Sequence, residues 1–302
     1  MALKNKFIFI AVILTLGIII YSFGKGIQQN SATSSHEKVE IIRKYNLTSD
    51  VIETSGLIYF NNLVWTFNDS GGEAELFAYA LPDTSLAKRA TLWNAYNFDW
   101  EDITQDSTHV YAGDMGNNFG NRDNLCIYRI NKEILMKHRN TAPKAEKISF
   151  TYPGYKPVSL LSFTRSSFDC EAITWYNDSI YLFTKDWITY NTTVYCIPAT
   201  PGKYIARKIR TFNSDCLITA ADFAGGKLFL LGYRNNKASL FVFTSFDDFL
   251  NGKETFERIE LYALGGAQTE GLAIKNDSTL YISAEGGRSM PPRLWEMKLK
   301  SN

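Results

Sequence analysis

The sequence is poor in the side chains that build disulfide scaffolds and zinc sites. Its 302 residues include only four Cys and three His. This scarcity excludes a disulfide-stabilised mini-domain and makes a zinc cluster improbable. The three His lie far apart: His36 in a polar segment, His109 at the start of a strand-like run and His138 between two such runs. The sequence therefore gives no support to a Ser-His-Asp triad.

The sequence also lacks an excess of charge of either sign. It has 32 Lys and Arg against 31 Asp and Glu, for a formal net charge of +1. This balance provides no electrostatic reason to expect a nucleic-acid partner. The hydrophobic fraction of 45% is typical of a globular protein, and the aromatic fraction of 14% favours β-structure.

One long uncharged run stands at the N-terminus, from Phe7 to Gly24. As a helix its 18 residues would measure about 27 Å, enough to cross a bilayer. Lys4 and Lys6 precede it and favour a cytoplasmic N-terminus. We predict a retained anchor in the cell membrane, with the rest of the chain extracytoplasmic. A cleaved signal peptide is the alternative, and the protein would then be secreted or periplasmic.

The sequence divides into three predicted segments. Residues 1–26 form the anchor or signal, residues 27–37 a small polar tether, and residues 38–302 the folded domain. No Cys follows the hydrophobic run before the tether ends, which excludes a lipoprotein anchor.

Within the folded domain one strand pattern occurs five times. Each copy begins with a short motif, followed by a polar turn and further β-rich runs. The motifs have Gly56, Asp102, Ala172, Asp222 and Gly271 as their markers, at spacings of 46, 70, 50 and 49 residues. Such spacings predict an all-β propeller of five four-stranded blades.

The ends of the repeat array complement each other. The fifth copy lacks a fourth strand, and the unassigned strand Val39–Tyr45 would supply it and close the ring. The extra length in the second copy falls in 131–145 and 153–168, which we interpret as insertions or a short helix. Tyr204–Phe212 is predicted as a single fourth strand of the third blade.

The residues before the five markers should converge on the propeller axis. They are Ser55, Glu101, Glu171, Ala221 and Glu270. Carboxylates gathered at one point repel strongly unless they share a cation or take up protons. Oxygen ligands of this kind suit Ca²⁺, so we predict a calcium ion in the central channel. The alternative is that each Glu accepts backbone N–H groups of an adjoining blade.

Two further sets of residues follow from the strand register. Asp102 and Asp222 point to the other side of their strands, and we predict that they accept hydrogen bonds between blades. A second set lies where the second strands end and should surround one mouth of the channel. This set is a candidate ligand-binding rim or an ordinary solvated surface, and it comprises Asp69, Asp114, Lys185, Asp186, Arg234 and Glu285. Catalytic residues stay unknown, with Asp69 and Asp114 as the candidates for a general base.

The four Cys do not define a disulfide. Cys126, Cys170, Cys196 and Cys216 allow three pairings, and four buried thiols are an equal alternative.

The pattern resembles the calcium-activated nucleotidases (apyrases), five-bladed propellers with a calcium ion in the channel. The similar elements are Ser55, Asn68-Asp69-Ser70-Gly71 and Thr269-Glu270-Gly271, together with the acids that begin the middle blades. The resemblance implies Ca²⁺ at Ser55, Glu101, Glu171 and Glu270, with a backbone oxygen from Ala221. The family's basic residues after the first- and third-blade strands are missing here, where Asp69 and Lys185-Asp186 stand. The sequence is also similar, more weakly, to gluconolactonase-type propellers.

Three functions remain open at this stage. We favour a membrane-anchored, calcium-binding propeller that serves as a ligand- or partner-binding module. The alternative is a calcium-dependent hydrolase of a small polar substrate that carries a phosphate or a lactone. The third is a scaffold without an ion. Fold alone does not decide among them, and the sequence leaves open whether the protein is an enzyme.

Overall fold

The structure is a computed structural model that describes residues 38–159, 165–287 and 290–300. The predicted membrane segment 7–24 and the tether lie outside the described residues. Within those three ranges, no helix combines the length and the apolar character needed to cross a bilayer.

Nearly all regular elements of the described chain are short strands. In chain order they are β1 (Val39–Asn46), β2 (Thr54–Phe60), β3 (Leu63–Asn68), β4 (Glu75–Ala80), β5 (Ser85–Thr91), β6 (Trp100–Gln105), β7 (His109–Asp114), β8 (Cys126–Asn131), β9 (Asn140–Thr141), β10 (Glu146–Thr151), β11 (Cys170–Tyr176), β12 (Ser179–Thr184), β13 (Thr192–Pro198), β14 (Gly202–Ile205), β15 (Arg207–Phe212), β16 (Leu217–Ala224), β17 (Lys227–Arg234), β18 (Lys237–Phe243), β19 (Phe256–Glu260), β20 (Thr269–Asn276), β21 (Thr279–Ala284) and β22 (Arg293–Leu299). The α-helices are α1 (Lys132–Lys137) and α2 (Phe246–Leu250), and 3-10 turns lie at Ser49–Val51 and Tyr262–Leu264.

These strands form five sheets, which are the blades of a propeller. Going outward from the axis, their strand orders are β2-β3-β4-β5, β6-β7-β8-β10, β11-β12-β13-β15, β16-β17-β18-β19 and β20-β21-β22-β1. The innermost strands of successive blades contact one another, as expected of a ring. The five-bladed all-β fold predicted from the repeat is therefore confirmed.

The ring closes through the N-terminal strand. β1 runs antiparallel to β22 with Val39 opposite Leu299 and Asn46 opposite Arg293. The last blade is thus built from both ends of the described chain, as the missing fourth strand predicted. Because backbone hydrogen bonds join β1 to β22 within the fifth blade, pulling these two strands apart would expose two sheet edges at once.

Two blades carry a fifth strand supplied by the following part of the chain. The insertion at 131–145 forms α1 and then β9, which pairs in parallel with β5 of the first blade. Similarly, β14 pairs in parallel with β10 of the second blade. The prediction of one strand over Tyr204–Phe212 was therefore wrong: the chain breaks near Ala206, because β14 pairs with the neighbouring blade while β15 pairs with β13.

Aromatic side chains fill the space between blades. Phe67 of the first blade meets Trp100 of the second edge to face, with ring centroids 5.2 Å apart. Between the third and fourth blades, Phe212, Phe243 and Phe249 form a cluster with centroid separations from 4.7 to 5.7 Å. Burial of such large apolar surfaces is the main favourable contribution to folding.

Two buried carboxylates join neighbouring blades. Asp102 Oδ2 accepts hydrogen bonds from the backbone N–H of Ile173 at 2.9 Å and of Ala221 at 3.2 Å, in the third and fourth blades. Asp222 Oδ2 accepts one from Ile274 of the fifth blade at 2.7 Å. The predicted role of both residues as inter-blade acceptors is confirmed.

Gly56 occupies the corresponding position in the first blade. Its φ is +55°, and a Cβ there would lie 2.9 Å from the backbone nitrogen of Ile103. The first blade therefore needs glycine at this position, because the second blade packs directly against its backbone.

Candidate metal centre in the channel

One end of the channel opens into a polar cavity of about 300 Å³. Six of its lining residues lie on the innermost strands or directly before them, and the others come from second strands and adjoining loops. The lining residues are Ser55, Asp69, Asp99, Glu101, Asn118, Arg165, Glu171, Lys185, Trp187, Tyr233, Gln268, Glu270 and Glu285. All five blades contribute to this set, the fourth through Tyr233 on its second strand β17.

Carboxylates are concentrated on one side of the cavity. Glu101, Asp169 and Glu171 each offer an oxygen within 4.8 Å of the others, and all three residues are buried. Asp69, Asp99 and Glu101 form a second group with the same spacing. Glu101 belongs to both groups, so the five carboxylates surround a shared region.

Glu101 is the residue on which the cluster is centred. It is only 6% exposed, and within the described ranges no hydrogen-bond donor contacts its carboxylate. The position of Gly116 leaves room for this side chain: a Cβ at residue 116 would overlap Oε1 of Glu101 and Oδ2 of Asp99. The loop after β7 thus forms a wall of the cavity with backbone alone.

The carboxylates strongly disfavour one another's ionised forms. Burial, followed by the charges of Asp99 and Glu171, raises the pKa of Asp69 to about 9. Burial and the charge of Glu171 raise the pKa of Asp99 to about 6. Burial and Glu171 also hold the pKa of Glu101 and that of Asp169 well above their ordinary values. A bound cation would relieve this repulsion.

Asp69 and Asp169 differ in their remaining partners. Oδ1 of Asp69 is buried and has no hydrogen-bond partner in the described chain. Asp169 accepts a hydrogen bond from the backbone N–H of Asn117 at 2.7 Å and a longer one from the indole N–H of Trp187 at 3.4 Å. These donors fix the orientation of Asp169, whereas Oδ1 of Asp69 has no donor among the described residues.

A buried lysine compensates the opposite side. Lys185 Nζ lies 3.0 Å from Glu171 Oε2, and both side chains are less than a tenth exposed. Burial acts to lower the pKa of Lys185, but the carboxylates of Glu171 and Glu270 outweigh it and hold the pKa well above the ordinary value. The ammonium also lies 4.9 Å from the centroid of the Trp187 ring. Lys185 is therefore charged, and its ammonium is already paired with Glu171.

Ser55 and Glu270 complete the inner wall. The Ser55 hydroxyl donates a hydrogen bond to the backbone oxygen of Glu101 at 2.5 Å, which ties the first blade to the second. Burial raises the pKa of Glu270 to about 8, although the charge of Lys185 acts in the opposite direction. Burial and Glu53 raise the pKa of Glu285 to about 7.

The structure distributes the predicted metal ligands unevenly. Ser55, Glu101, Glu171 and Glu270 line the cavity, but Ala221 does not. The backbone N–H of Ala221 donates to Asp102 instead, deeper in the ring. Of the predicted ligands, only Glu101 and Glu171 lie within the carboxylate groups described above.

The predicted rim residues also separate into two groups. Asp69, Lys185 and Glu285 line the cavity. Asp114, the second candidate for a general base, does not line the cavity; it is buried, and Arg122 Nη2 donates to its Oδ1 at 2.6 Å. Asp186 accepts hydrogen bonds from its own turn, including the N–H of Ile188 at 2.9 Å. Arg234 forms an ion pair with Asp215 and lies over the ring of Tyr190.

Sequence reasoning missed several lining residues. Asp99 and Gln268 line the cavity, and Asp169 belongs to the carboxylate group of Glu101 and Glu171. Each of the three stands two positions before a predicted acid, namely Glu101, Glu270 and Glu171 respectively. Residues two apart in an extended segment face the same side, so the pattern contained a signal. Asn118, Arg165 and Trp187 come from loops, and no strand register predicts their position.

All four Cys are buried free thiols. The structure therefore realises the second of the two alternatives for Cys126, Cys170, Cys196 and Cys216.

Comparison with known proteins supports the propeller fold and nothing more specific. No protein-family model matches the sequence, and no curated protein matches it. A GH43_1 enzyme from Xanthomonas citri is similar in structure, with a TM-score of 0.50 and 11% identity over 87% of this chain and 91% of that one. An aldose sugar dehydrogenase from Streptomyces coelicolor, in its PQQ-bound form, has a TM-score of 0.49 and 10% identity over 87% and 98%. The resemblance to calcium-activated nucleotidases has no support from these comparisons beyond the propeller fold itself.

Proposed function

We propose that the channel binds a Ca²⁺ ion through carboxylates of Asp69, Asp99, Glu101, Asp169 and Glu171, and that the protein is a calcium-dependent small-ligand-binding module. The observation that carries this proposal is that these carboxylates form two groups of three, each with oxygens within 4.8 Å of one another, and that Glu101 belongs to both groups. One buried ammonium, Lys185, faces five clustered carboxylates, so most of their negative charge has no partner among the described side chains. A divalent cation supplies the missing positive charge.

The donor set fits calcium better than the other common ions. Every candidate ligand atom is an oxygen, which disfavours zinc and copper. Ca²⁺ accepts six to eight oxygens in irregular arrangements and tolerates mono- and bidentate carboxylates, whereas Mg²⁺ demands a near-ideal octahedron. Ligands that approach from several blades are unlike a preformed octahedral site. The open side of the cavity leaves room for an oxygen of a ligand.

The residues of the chain have distinct tasks in this proposal. Glu101, at the meeting point of both groups, is the central ligand. Asn117 and Trp187 orient Asp169 by their hydrogen bonds. Lys185 compensates the charge at Oε2 of Glu171, so the larger uncompensated charge, and with it the cation, lies toward Asp69, Asp99 and Glu101. The bound ion provides a positively charged point to which a ligand oxygen binds.

The test is calcium titration of the purified protein by calorimetry, with Glu101→Gln as the variant. The substitution keeps the shape of the side chain and removes its charge, so we expect a loss of affinity of about tenfold or more. Glu133→Gln is the matched control, because Glu133 is exposed on α1 and far along the chain from the cavity-lining residues. Unchanged affinity in Glu101→Gln would refute the assignment.

A hydrolase of a small polar substrate is the second candidate. The unpartnered Oδ1 of Asp69, a residue that lines the cavity, favours it, because a general base needs an oxygen that is free to accept a proton. Turnover of nucleotides, phosphoesters or lactones that Asp69→Asn abolishes, while the circular dichroism spectrum stays that of the parent, would establish an enzyme. If none of these substrates is turned over, the result favours the binding module over the hydrolase.

We also propose that residues 7–24 anchor the protein in the cell membrane, with the propeller outside the cytoplasm. The support is the length and apolarity of this run in the sequence. Fractionation of cells that express the full chain tests it: carbonate-resistant membrane association is expected, and release of the protein into the soluble fraction argues for a cleaved segment.

A further inference from the structure

The cavity has a second wall whose charge is opposite to that of the carboxylate cluster. Arg165, Asn118 and Trp187 line it on the outer side. Arg165 lies in the predicted second-blade insertion 153–168 and was not recognised as a site residue from the sequence. It is exposed at the residue level, yet its guanidinium is held in place by a hydrogen bond and by two aromatic rings, of which Phe119 is the more distant, with its centroid 5.7 Å away. Nη1 donates to Asn118 Oδ1 at 2.7 Å, and the group lies 4.4 Å from the Trp187 ring centroid.

None of these contacts neutralises the charge of Arg165. Asn118 is an uncharged amide, and an aromatic ring offers only its π-face. Other arginines of the chain pair with acids: Arg89 with Glu75, Arg122 with Asp114, and Arg210 with Glu254. Arg165 has no such ion pair among the described residues, although seven acids lie in or beside the same cavity.

A guanidinium placed in this way is suited to bind a ligand. Its planar group of donors matches the oxygens of a carboxylate or a phosphate, and one anchored nitrogen leaves the others available. Stacking on Trp187 limits the rotamers of the side chain, so less conformational entropy is lost when a ligand binds. The cavity of about 300 Å³ fits a molecule the size of a single sugar.

We propose that the cavity binds a small polar oxyanion whose carboxylate or phosphate group is held by Arg165, while an oxygen at its other end reaches the carboxylate-lined centre. This deepens the proposed function, because that centre is where we place the cation. Lys185 does not serve as the anion anchor, since it is paired with Glu171 at 3.0 Å. Arg234 does not either, because it is paired with Asp215 and lies outside the cavity lining.

Three probes of similar size separate the chemistry. They are glucose, glucuronate and glucose 6-phosphate, which share a sugar ring and differ in having no anion, a carboxylate or a phosphate. Titration by calorimetry in saturating Ca²⁺ is expected to show binding of at least one anionic probe about tenfold or more tighter than glucose. The stronger of the two anions identifies the group that Arg165 accepts. Equal binding of glucose, or no binding of either anion at millimolar concentration, overturns the proposal.

Variants then separate this inference from the proposed cation site. Arg165→Ala should weaken the anionic probe about tenfold or more and leave calcium affinity unchanged, and Arg165→Lys should recover part of the loss. Arg207→Ala is the matched control, since Arg207 is exposed on the outermost strand β15. Unchanged anion binding in Arg165→Ala overturns the inference. Calcium binding in Glu101→Gln tests only the proposed cation site. If the protein binds the anionic probe through Arg165 without added calcium, this inference is supported even where the cation site is refuted.

Discussion

Lys185 Nζ lies 3.0 Å from Glu171 Oε2 at the base of the channel, and neither side chain is more than 7% exposed. This ion pair divides the acids of the channel into two sets. Glu171 and Glu270 share the charge of Lys185, whereas Asp69, Asp99 and Glu101 have no ion pair with a lysine or arginine among the described residues. The asymmetry locates the expected cation on one side of the propeller axis rather than on the axis itself.

The first prediction concerns the removal of this ammonium. Lys185→Met leaves Glu171 buried without its partner, and breaking a buried pair from one side costs about 3–5 kcal/mol. We expect a clear fall in the melting temperature in EDTA and a partial recovery in Ca²⁺, because the ion takes over the compensation of Glu171. Lys253→Met, at an exposed position, is the control. A melting temperature in EDTA equal to that of the parent protein would show that the pair does not compensate Glu171.

The second prediction uses the glycine wall of the cavity. In Gly116→Ala the new methyl group would overlap the carboxylates of Glu101 and Asp99, so both must move. We expect calcium affinity to fall about tenfold or more while the circular dichroism spectrum stays that of the parent. Gly72→Ala is a suitable control, because a Cβ at residue 72 meets no atom within 4 Å. Parental affinity in Gly116→Ala would mean that these two carboxylates are not ligands.

The third prediction tests the contact between blades. Both oxygens of Asp102 accept backbone N–H groups: Oδ1 that of Ile103 at 2.8 Å, and Oδ2 those of Ile173 and Ala221. In Asp102→Asn the amide NH₂ must face a donor whichever way it turns. We expect a loss of about 1–3 kcal/mol in the free energy of unfolding, measured by urea denaturation. Asp277→Asn, at an exposed turn, should change it little.

The fourth prediction is a pH dependence of stability from Asp222. Burial raises the pKa of Asp222 to about 7, against the opposing effect of the N–H groups of Ile274 and Phe223. Between about pH 4 and pH 7 the folded protein therefore keeps a proton that the unfolded chain has lost. Stability from this group is fully present below the unfolded pKa and is lost as pH rises through 7.

Urea denaturation at pH 5 and pH 8 measures this effect. The decline in unfolding free energy between the two pH values should be smaller in Asp222→Asn than in the parent protein, because the amide does not titrate. An equal decline in both proteins would show that Asp222 does not titrate in this range. Asp106→Asn offers a contrast, since the hydrogen bonds of Asp106 with Tyr111, Thr108 and His109 outweigh burial and lower its pKa.

Strand periodicity predicted the scaffold well. The five markers, the closing strand near Val39 and the inter-blade role of Asp102 all follow from a repeat whose copies must stack in the same way. The sequence also indicated that Glu101 and Glu171 converge, because equivalent positions in a ring meet at the axis. It did not predict the fifth strands β9 and β14, which depend on contacts between blades rather than on local pattern.

The candidate site was only partly predictable for a physical reason. The fivefold repeat predicts equivalent positions for Ser55, Ala221, Glu270 and Glu101. Lys185 makes these positions inequivalent, because it forms an ion pair with only one acid, Glu171. Asp99 and Asp169 lie one step before their strands and could have been found by alternation alone. Arg165 and Trp187 come from loops whose course depends on tertiary packing, and no spacing rule predicts their meeting.

The most direct test of the calcium site is a crystal structure of the protein grown in CaCl₂, with anomalous scattering data collected at long wavelength. We predict an anomalous peak in the cavity with oxygens of Glu101, and of at least two among Asp69, Asp99, Asp169 and Glu171, at 2.3–2.6 Å. A cavity without such a peak at saturating calcium, with these carboxylates in the same positions, would contradict the account.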